Sequence, residues 1–469
     1  MKHHVLRPRR RLPLAWRPLA ASLLLGACLG RGLAATNEPP SPSWLSQPMS
    51  MFDAVRLALL QNSDILKAGS DLEATHGVVM QTRAVALPKV QAEAGYLYDA
   101  AADEFGFDGN GISRVTDQWN AGIRIVQTLY EGGRLRASLR SARLTREQSL
   151  LAYQTVVADT LLAVRTAYYD VLLAEQEILV QEASVKLLAQ ELENASRRFE
   201  AGAVPRFDVL RGEVAVANAK PRLIRARNTF RVAKNNLATV LGYNIPAHIW
   251  EDIPMQLTGR LESDPVSVEL PAALAQARAR RPELAVLGKT EALAREGITL
   301  ARAGGLPRLG VFAGYGGHNS RYVDSFFEAV AGATAGVQLQ WDLWDGNLTR
   351  GKVKEARAQH RRVEQDLEDV TRRVEQEVRT AYSTFLEARE VLESQRKNQE
   401  QADEALRLAT ARYEAGTGTQ LDVLDAQTAL TQARTTQIQA LHGYAVARAR
   451  LERAVGQDVT QTQAMDRKP

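Results

Sequence analysis

Cysteine is almost missing from this 469-residue chain. Cys28 is the only one, so no intrachain disulfide can form. Histidine is scarce as well: the seven residues show no ligand spacing of the His-Glu-x-x-His kind. No phosphate-cradling glycine loop and no nucleophile motif is present, and no His- or Met-rich tract. The sequence therefore points away from an enzyme and implies no cofactor and no bound metal. Positive charge is missing where nucleic acid would need it. The formal charge is +5, but Lys2, Arg7, Arg9, Arg10, Arg11 and Arg17 all lie in residues 1–27, which hold no acid. Taking those six from +5 leaves −1 for the rest, which offers no net basic field.

Residues 1–27 read as a secretory signal, with a basic start and an apolar core from about Leu19 to Leu25. That core is far shorter than the roughly 20 apolar residues a spanning helix needs. Arg9-Arg10-Arg11 lacks the flanking pattern of a twin-arginine signal. Leu25-Gly26-Ala27-Cys28 resembles a bacterial lipobox, which would make Cys28 a lipidation site after cleavage at Ala27. The other reading is an incidental cysteine in a signal cut later, near Gly32-Leu33-Ala34. Residues 28–50, rich in Pro, Ser and Asn toward their end, read as a tether.

What is there is a duplication. Arg198-Phe199-Glu200-Ala201-Gly202, followed by Phe207-Asp208-Val209-Leu210, returns as Arg412-Tyr413-Glu414-Ala415-Gly416, followed by Leu421-Asp422-Val423-Leu424-Asp425. The offset is 214 positions, and Leu129-Tyr130-Glu131-Gly132 recurs at the same offset as Leu343-Trp344-Asp345-Gly346. Two landmarks about 70 residues apart that keep one register mark a repeated structural unit. The spacing predicts a first repeat over 51–243, a Pro-rich equatorial linker over 244–270, a second repeat over 271–456 and a polar tail over 457–469.

Each repeat begins with a helix, Phe52 to Ala86 in the first, that Leu87-Pro88 ends. The apolar period then drops to two. Strands are predicted at about 89–99, 118–129, 308–316 and 333–344, with a loop running to about Asp117. Trp119, Ala121, Ile123 and Ile125 share one face, while Asn120, Gly122 and Arg124 share the other; Gln338 alternates with apolar neighbours in the same way. Runs of about 10 residues edged by aromatics (Tyr96, Tyr98, Trp119, Tyr130) match tilted membrane strands. A soluble hairpin with one wet face has the same alternation.

No proline or glycine interrupts the chain between Gly133 and Gly202. Apolar residues recur there at spacings of 3 and 4, from Val157, Leu161, Val164 and Tyr168 down to Ala195 and Phe199, as in helices that coil along neighbours. Such a helix is roughly 100 Å long. Gly202 and Gly416 read as left-handed caps that end the long helices. Pro205 opens a return helix that reaches only about halfway back, and the helix over 64–86 has the length to stack on its end.

Four strands cannot close a membrane barrel, and an open edge in lipid leaves backbone groups unsatisfied. The chain must therefore associate, and three copies would supply about 12 strands. Leu87-Pro88 before a strand, Gln127-Thr128-Leu129-Tyr130-Glu131-Gly132-Gly133, the Arg-aromatic-Glu-Ala-Gly tip and Asp-Val-Leu together resemble the TolC-type outer-membrane efflux factors over about residues 50–456. The resemblance implies a mainly α fold with a small β part: a homotrimer with a 12-stranded outer-membrane β-barrel, continued by an α-helical periplasmic barrel. It implies an exit duct, recruited by a periplasmic adaptor and an inner-membrane pump to export drugs, toxic compounds or metals, with a type I protein secretion outlet as alternative. A secreted coiled-coil scaffold is the competing class.

The resemblance also assigns roles at the tip. Asp422 and Asp425 match a pair that lines the narrow aperture, and threefold symmetry would make six carboxylates there. The sequence alone offers a plainer reading, with Thr419-x-x-Asp422 as a capping box whose acid meets the helix dipole. Asp208 keeps the first acid of the pair in the first repeat, while Arg211 replaces the second. A family latch would link Asp208 to Tyr413, but the arginine that assists it in some members is here Gly418. Gly202, Gly416 and Pro205 fall at the adaptor-docking tips, and Asn120, Arg124 and Gln338 at the barrel lumen.

Overall fold

A computed structural model describes residues 47–104, 112–244, 252–261, 267–319 and 329–457. Cys28, the leader and most of the tail lie outside the described residues. The elements are α1 (Met51–Gln61), α2 (Ser63–Ala84), β1 (Lys89–Glu104), β2 (Ile112–Glu131), α3 (Arg134–Glu200), α4 (Arg206–Val240), α5 (Leu270–Arg280), α6 (Pro282–Arg302), β3 (Arg308–Asn319), β4 (Ala329–Gln340), α7 (Leu348–Glu414) and α8 (Gln420–Val455). The order helix–helix–strand–strand–long helix–return helix thus occurs twice.

Helices α3 and α7 have 67 residues each, so each spans about 100 Å. Both end in the same backbone device. Gly202 and Gly416 sit at φ +72° and +71°. The Gly202 N–H donates to the Phe199 carbonyl and the Ala203 N–H to the Arg198 carbonyl; Gly416 and Thr417 repeat this with Tyr413 and Arg412. This is the Schellman arrangement, which satisfies the last free carbonyls of a helix. Pro205 opens α4 as its N-cap residue, in extended geometry just before the first helical position. Helix α4 also runs through Pro221, whose exposed position leaves the missing donor at the surface.

The helix predicted over 52–86 is two helices. Asn62, in extended geometry, breaks it. Its side-chain oxygen accepts from the N–H groups of Asp64 (2.8 Å) and Ile65 (3.2 Å), and its amide donates to the Val240 carbonyl at 2.7 Å. One side chain thus caps α2 and holds the free end of α4, so α2 stacks on α4. Arg281 stands at the same place between α5 and α6. It donates to the carbonyls of Arg453 and Ala454, both at 3.3 Å, where α8 ends.

The buried cores gather around these two breaks. Ala54, Val55 and Ala58 of α1 meet Leu161, Val164 and Tyr168 of α3 and Leu237 and Leu241 at the end of α4. Ala273 and Ala277 of α5 meet Val378 and Phe385 of α7 and Tyr444 and Leu451 of α8. The chain before α1 and the linker close the first core. Met49 bridges to Leu257, and the Tyr168 hydroxyl donates to the Met49 carbonyl (3.1 Å) while accepting from the Gly259 N–H (3.0 Å).

The four strands form one antiparallel sheet in the order β1-β2-β3-β4. The first two are longer than the alternation predicts. β1 continues to Glu104 and β2 begins at Ile112, so the loop assigned up to Asp117 is largely strand. The composition there, Asp99-Ala-Ala-Ala-Asp-Glu104, carries no two-residue period to read. β4 starts earlier, at Ala329, and stops at Gln340, leaving Trp341–Trp344 outside the ladder.

Candidate functional site

The sheet has two faces of opposite character. The register pairs Gly95 with Asn120 and Asn120 with His318, then Gln91 with Arg124 and Arg124 with Gly314, then Thr128 with Gly310 and Gly310 with Gln338. Directly paired residues share a face, so Asn120, Arg124 and Gln338 lie together as alternation predicts. That face is mostly polar or bare, interrupted by Leu97, Val126, Phe312 and Val330, and the Arg124 guanidinium lies 4.6 Å from the centre of the Phe312 ring. The other face carries Val90, Tyr96, Ile123, Ile125, Tyr315, Val337 and Leu339. In the single chain these residues are exposed, Val90 by 68%, Tyr315 by 65% and Val337 by 67%. Apolar area of that extent facing outward marks a membrane or partner surface. It also separates this chain from a scaffold, which has no use for it. No helix among the described residues is long and apolar enough to cross a membrane, so this sheet is the candidate spanning element.

At the far ends of the helices stand the residues singled out for the aperture. Asp422 and Asp425 are both exposed on one face of α8, while Val423, Leu424 and Gln427 are buried on the other. The capping box is formed. The Thr419 N–H and hydroxyl both donate to Asp422 Oδ2 at 2.9 Å, and the Asp422 N–H donates to the Thr419 hydroxyl at 3.2 Å. The Thr419 N–H, its hydroxyl and the nearby Arg412 hold the Asp422 carboxyl below its ordinary value, so it is charged at neutral pH. Asp422 therefore has a structural role whatever else it does, and its second oxygen and Asp425 remain outward. Asp208 begins α4 half-buried, and the Arg211 guanidinium folds over the Phe207 ring at 5.1 Å from its centre.

The Asp208–Tyr413 hydrogen bond implied by the resemblance is not formed within the chain. The Tyr413 hydroxyl oxygen is buried and has no hydrogen-bond partner among the described residues. Instead the Arg198 guanidinium covers its ring at 4.6 Å from the centre, joining the end of α3 to the end of α7. Arg198 belongs to the same Arg-aromatic-Glu-Ala-Gly motif that marks the tip, but nothing in its spacing reveals that it turns across to the other repeat. A side chain at position 418 would be tight: a Cβ on Gly418 would meet Arg412 Cβ and the Tyr413 nitrogen at 3.1 Å, so the backbone there would have to shift by a few tenths of an ångström. Burial pushes the Glu191 carboxyl up in this cluster; Arg198 opposes the shift and Glu414 adds to it.

The likeness to known proteins covers this whole architecture. The model of the family described as outer membrane efflux protein matches residues 54–243 and 273–457, one segment for each repeat. Outer membrane protein TolC of Escherichia coli K12 is 25% identical over 424 residues, 88% of this chain and 83% of its own length. Protein CyaE of Bordetella pertussis is 27% identical over 445 residues, 92% of this chain and 91% of its own. Among solved structures, the outer-membrane channel OprN superposes with a TM-score of 0.74 at 19% identity, over 87% of this chain and 90% of that one. The family match in both repeats, the sheet with one outward apolar face and the paired 67-residue helices agree: the chain belongs to the outer membrane efflux protein family and is an export duct of the outer membrane.

Proposed function

We propose that three copies of this chain close into one duct, with a 12-stranded barrel in the outer membrane and a tube of helices below it. The observation that carries this reading is the four-stranded sheet with β1 and β4 as open edges and one apolar face. In lipid both edges need partners, and β4 of one copy can pair antiparallel with β1 of the next. The polar face with Asn120, Arg124 and Gln338 then lines the lumen. Mass measurement of the detergent-extracted protein tests the closure. Three chains per particle support it, and a stable single chain contradicts it.

Asp422 and Asp425 from three copies would form an acidic aperture at the helical tips that favours cations. The Arg198–Tyr413 stack then holds α3 against α7 and keeps the tip closed. In this chain it takes the place of a hydroxyl–carboxylate latch. The tips around Gly202, Gly416 and Pro205 dock a periplasmic adaptor, which links the duct to an inner-membrane pump. Gly416→Trp is expected to abolish export while leaving assembled protein in the membrane. Gly416→Asn, which keeps a residue tolerant of positive φ, retains export. Loss of assembly in both variants would make this a folding effect. Cys28 carries the lipid anchor in this reading, and mass spectrometry of the mature N-terminus tests it directly.

A further inference from the structure

Helix α6 contributes no buried residue, yet it lies between α3 and α7. Polar contacts fasten it. Arg140 of α3 grips Glu296 with two bonds of 2.7 Å, Gln148 donates to Thr290 at 2.9 Å, and Lys289 pairs with Glu147 at 2.7 Å. Toward α7 the fastening is of another kind. His360 Nε2 lies 2.6 Å from Glu291 Oε1, and its Nδ1 lies 3.5 Å from Glu364 Oε1, one helical turn further along α7. The imidazole and Glu291 are half-buried, with side chains 15% and 18% exposed. One ligand atom from each of the three residues lies within 4.8 Å of the others.

We propose that Glu291 and His360 form a divalent transition-metal site that ties α6 to α7. Zinc–nitrogen and zinc–oxygen bonds of about 2.0–2.2 Å at a tetrahedral angle put neighbouring donor atoms about 3.4 Å apart, so the 2.6 Å contact must widen by about 0.8 Å to admit the ion, which side-chain rotation allows. The metal takes the place of the proton between Nε2 and Glu291. Glu364, now 3.5 Å from Nδ1 and half exposed, closes on it to accept from Nδ1–H when the metal binds, which fixes the ring tautomer as carboxylates commonly do behind metal-bound histidine. The remaining positions belong to water. A mixed imidazole and carboxylate set selects zinc, copper or nickel over the oxygen-seeking calcium and magnesium. Arg295 competes, donating to the same Glu291 oxygen at 2.7 Å, but its side chain is 70% exposed and free to swing away. The site belongs to the second repeat alone: with α6 set on α2 by the shared Leu-Pro (Leu306-Pro307 on Leu87-Pro88, an offset of 219) and α7 on α3 at 214, the matching positions of the first are Leu72, Arg146 and Leu150. Sequence spacing hides it, because Glu291 and His360 are 69 residues apart.

The test is zinc titration of the full mature chain in detergent by calorimetry, in an Asp422→Ala/Asp425→Ala background that removes tip carboxylates. One zinc per chain is expected, lost in His360→Ala and in Glu291→Gln. The affinity should fall about 10–100-fold in Glu364→Gln and rise in Arg295→Gln. Copper in place of zinc should show coupling to a single imidazole nitrogen by electron paramagnetic resonance. Unchanged circular dichroism of the variants keeps the reading independent of folding. A second histidine–carboxylate pair, His442 Nε2 at 2.7 Å from Asp170, is the rival. Equal zinc uptake by His360→Ala, loss of uptake only in His442→Ala, effective competition by magnesium, or no zinc uptake by the parent chain would each overturn the site.

Discussion

The two repeats meet the same demand at their helix breaks with different chemistry. In both, a return helix ends where a second helix begins, and free carbonyls and free N–H groups face each other. The first repeat uses one neutral amide: Asn62 caps α2 and holds the Val240 carbonyl. The second splits the task. Pro282 opens α6 without an N–H to satisfy, and Arg281 reaches the carbonyls of α8 while pairing with Glu377 at 2.7 Å and Glu283 at 3.0 Å. Arg453 joins the same group through Glu283 at 2.5 Å and Asp159 at 2.7 Å. A neutral clasp is independent of pH, whereas an ionic one needs its carboxylates charged. The duplicated backbone is thus held by an amide in one half and by a half-buried ion network in the other.

That contrast can be broken most forcefully at Arg281. Arg281→Ala removes a buried cation, leaves Glu377 and the Ala454 carbonyl without their partner while Arg453 still holds Glu283, and is expected to cost about 3–5 kcal/mol in denaturant unfolding of the detergent-solubilised protein. The glycines that end the return helices sharpen the comparison. Gly242 sits at φ +83°, where an added Cβ would lie only 2.3 Å from the Gln61 carbonyl oxygen, whereas a Cβ on Gly456, at φ +75°, would meet Arg280 at 3.3 Å. Gly242→Ala should therefore cost more than about 3 kcal/mol, from strain plus overpacking, and Gly456→Ala about 1–2 kcal/mol. Asn62→Ala loses a cap and one buried bond, at about 1–2 kcal/mol.

The ionic repeat should also respond to acid. Burial pushes the Glu283 carboxyl up, but hydrogen bonds and charge from Arg453, with Arg281 beyond, outweigh it and hold the group below its ordinary value of 4.5. A depressed carboxyl stabilises the fold above its unfolded value, and that stability is lost as pH falls through the folded value. Hydrogen exchange, corrected for its intrinsic pH dependence, should quicken around 278–285 below about pH 4.5, while 60–66 stays protected. Glu283→Gln should remove the difference. Equal acid response at both breaks would contradict the contrast. The smallest effect is expected at the tip. Arg198→Ala should cost only about 0.5–1 kcal/mol yet raise single-channel conductance, while Tyr413→Phe, which keeps the ring, should leave conductance unchanged.

Much of this was legible in the chain. The long helices announce themselves through the unbroken run between Gly133 and Gly202, and their caps through the repeated Glu-Ala-Gly. Alternation placed Asn120 and Arg124 on one face because the period of two survives from Trp119 to Ile125. It failed at Asp99–Glu104, where alanines and acids give no period. The break at Asn62 stayed hidden because asparagine is tolerated in a helix, and its meaning depends on Val240, 178 residues away. Arg198 on Tyr413 and Glu291 on His360 escaped for the same reason: each joins two helices that sequence distance separates.

Conductance in planar bilayers tests the account most directly. The comparison is the unaltered protein, Asp425→Asn, which spares the capping box, and Asp422→Ala/Asp425→Ala, with and without added divalent cations. The account predicts small cation-selective steps that divalent ions block, with selectivity and block weakened in Asp425→Asn and abolished in the double variant. Inserted, assembled protein whose selectivity and block are the same in all three would contradict an acidic aperture at the helical tips.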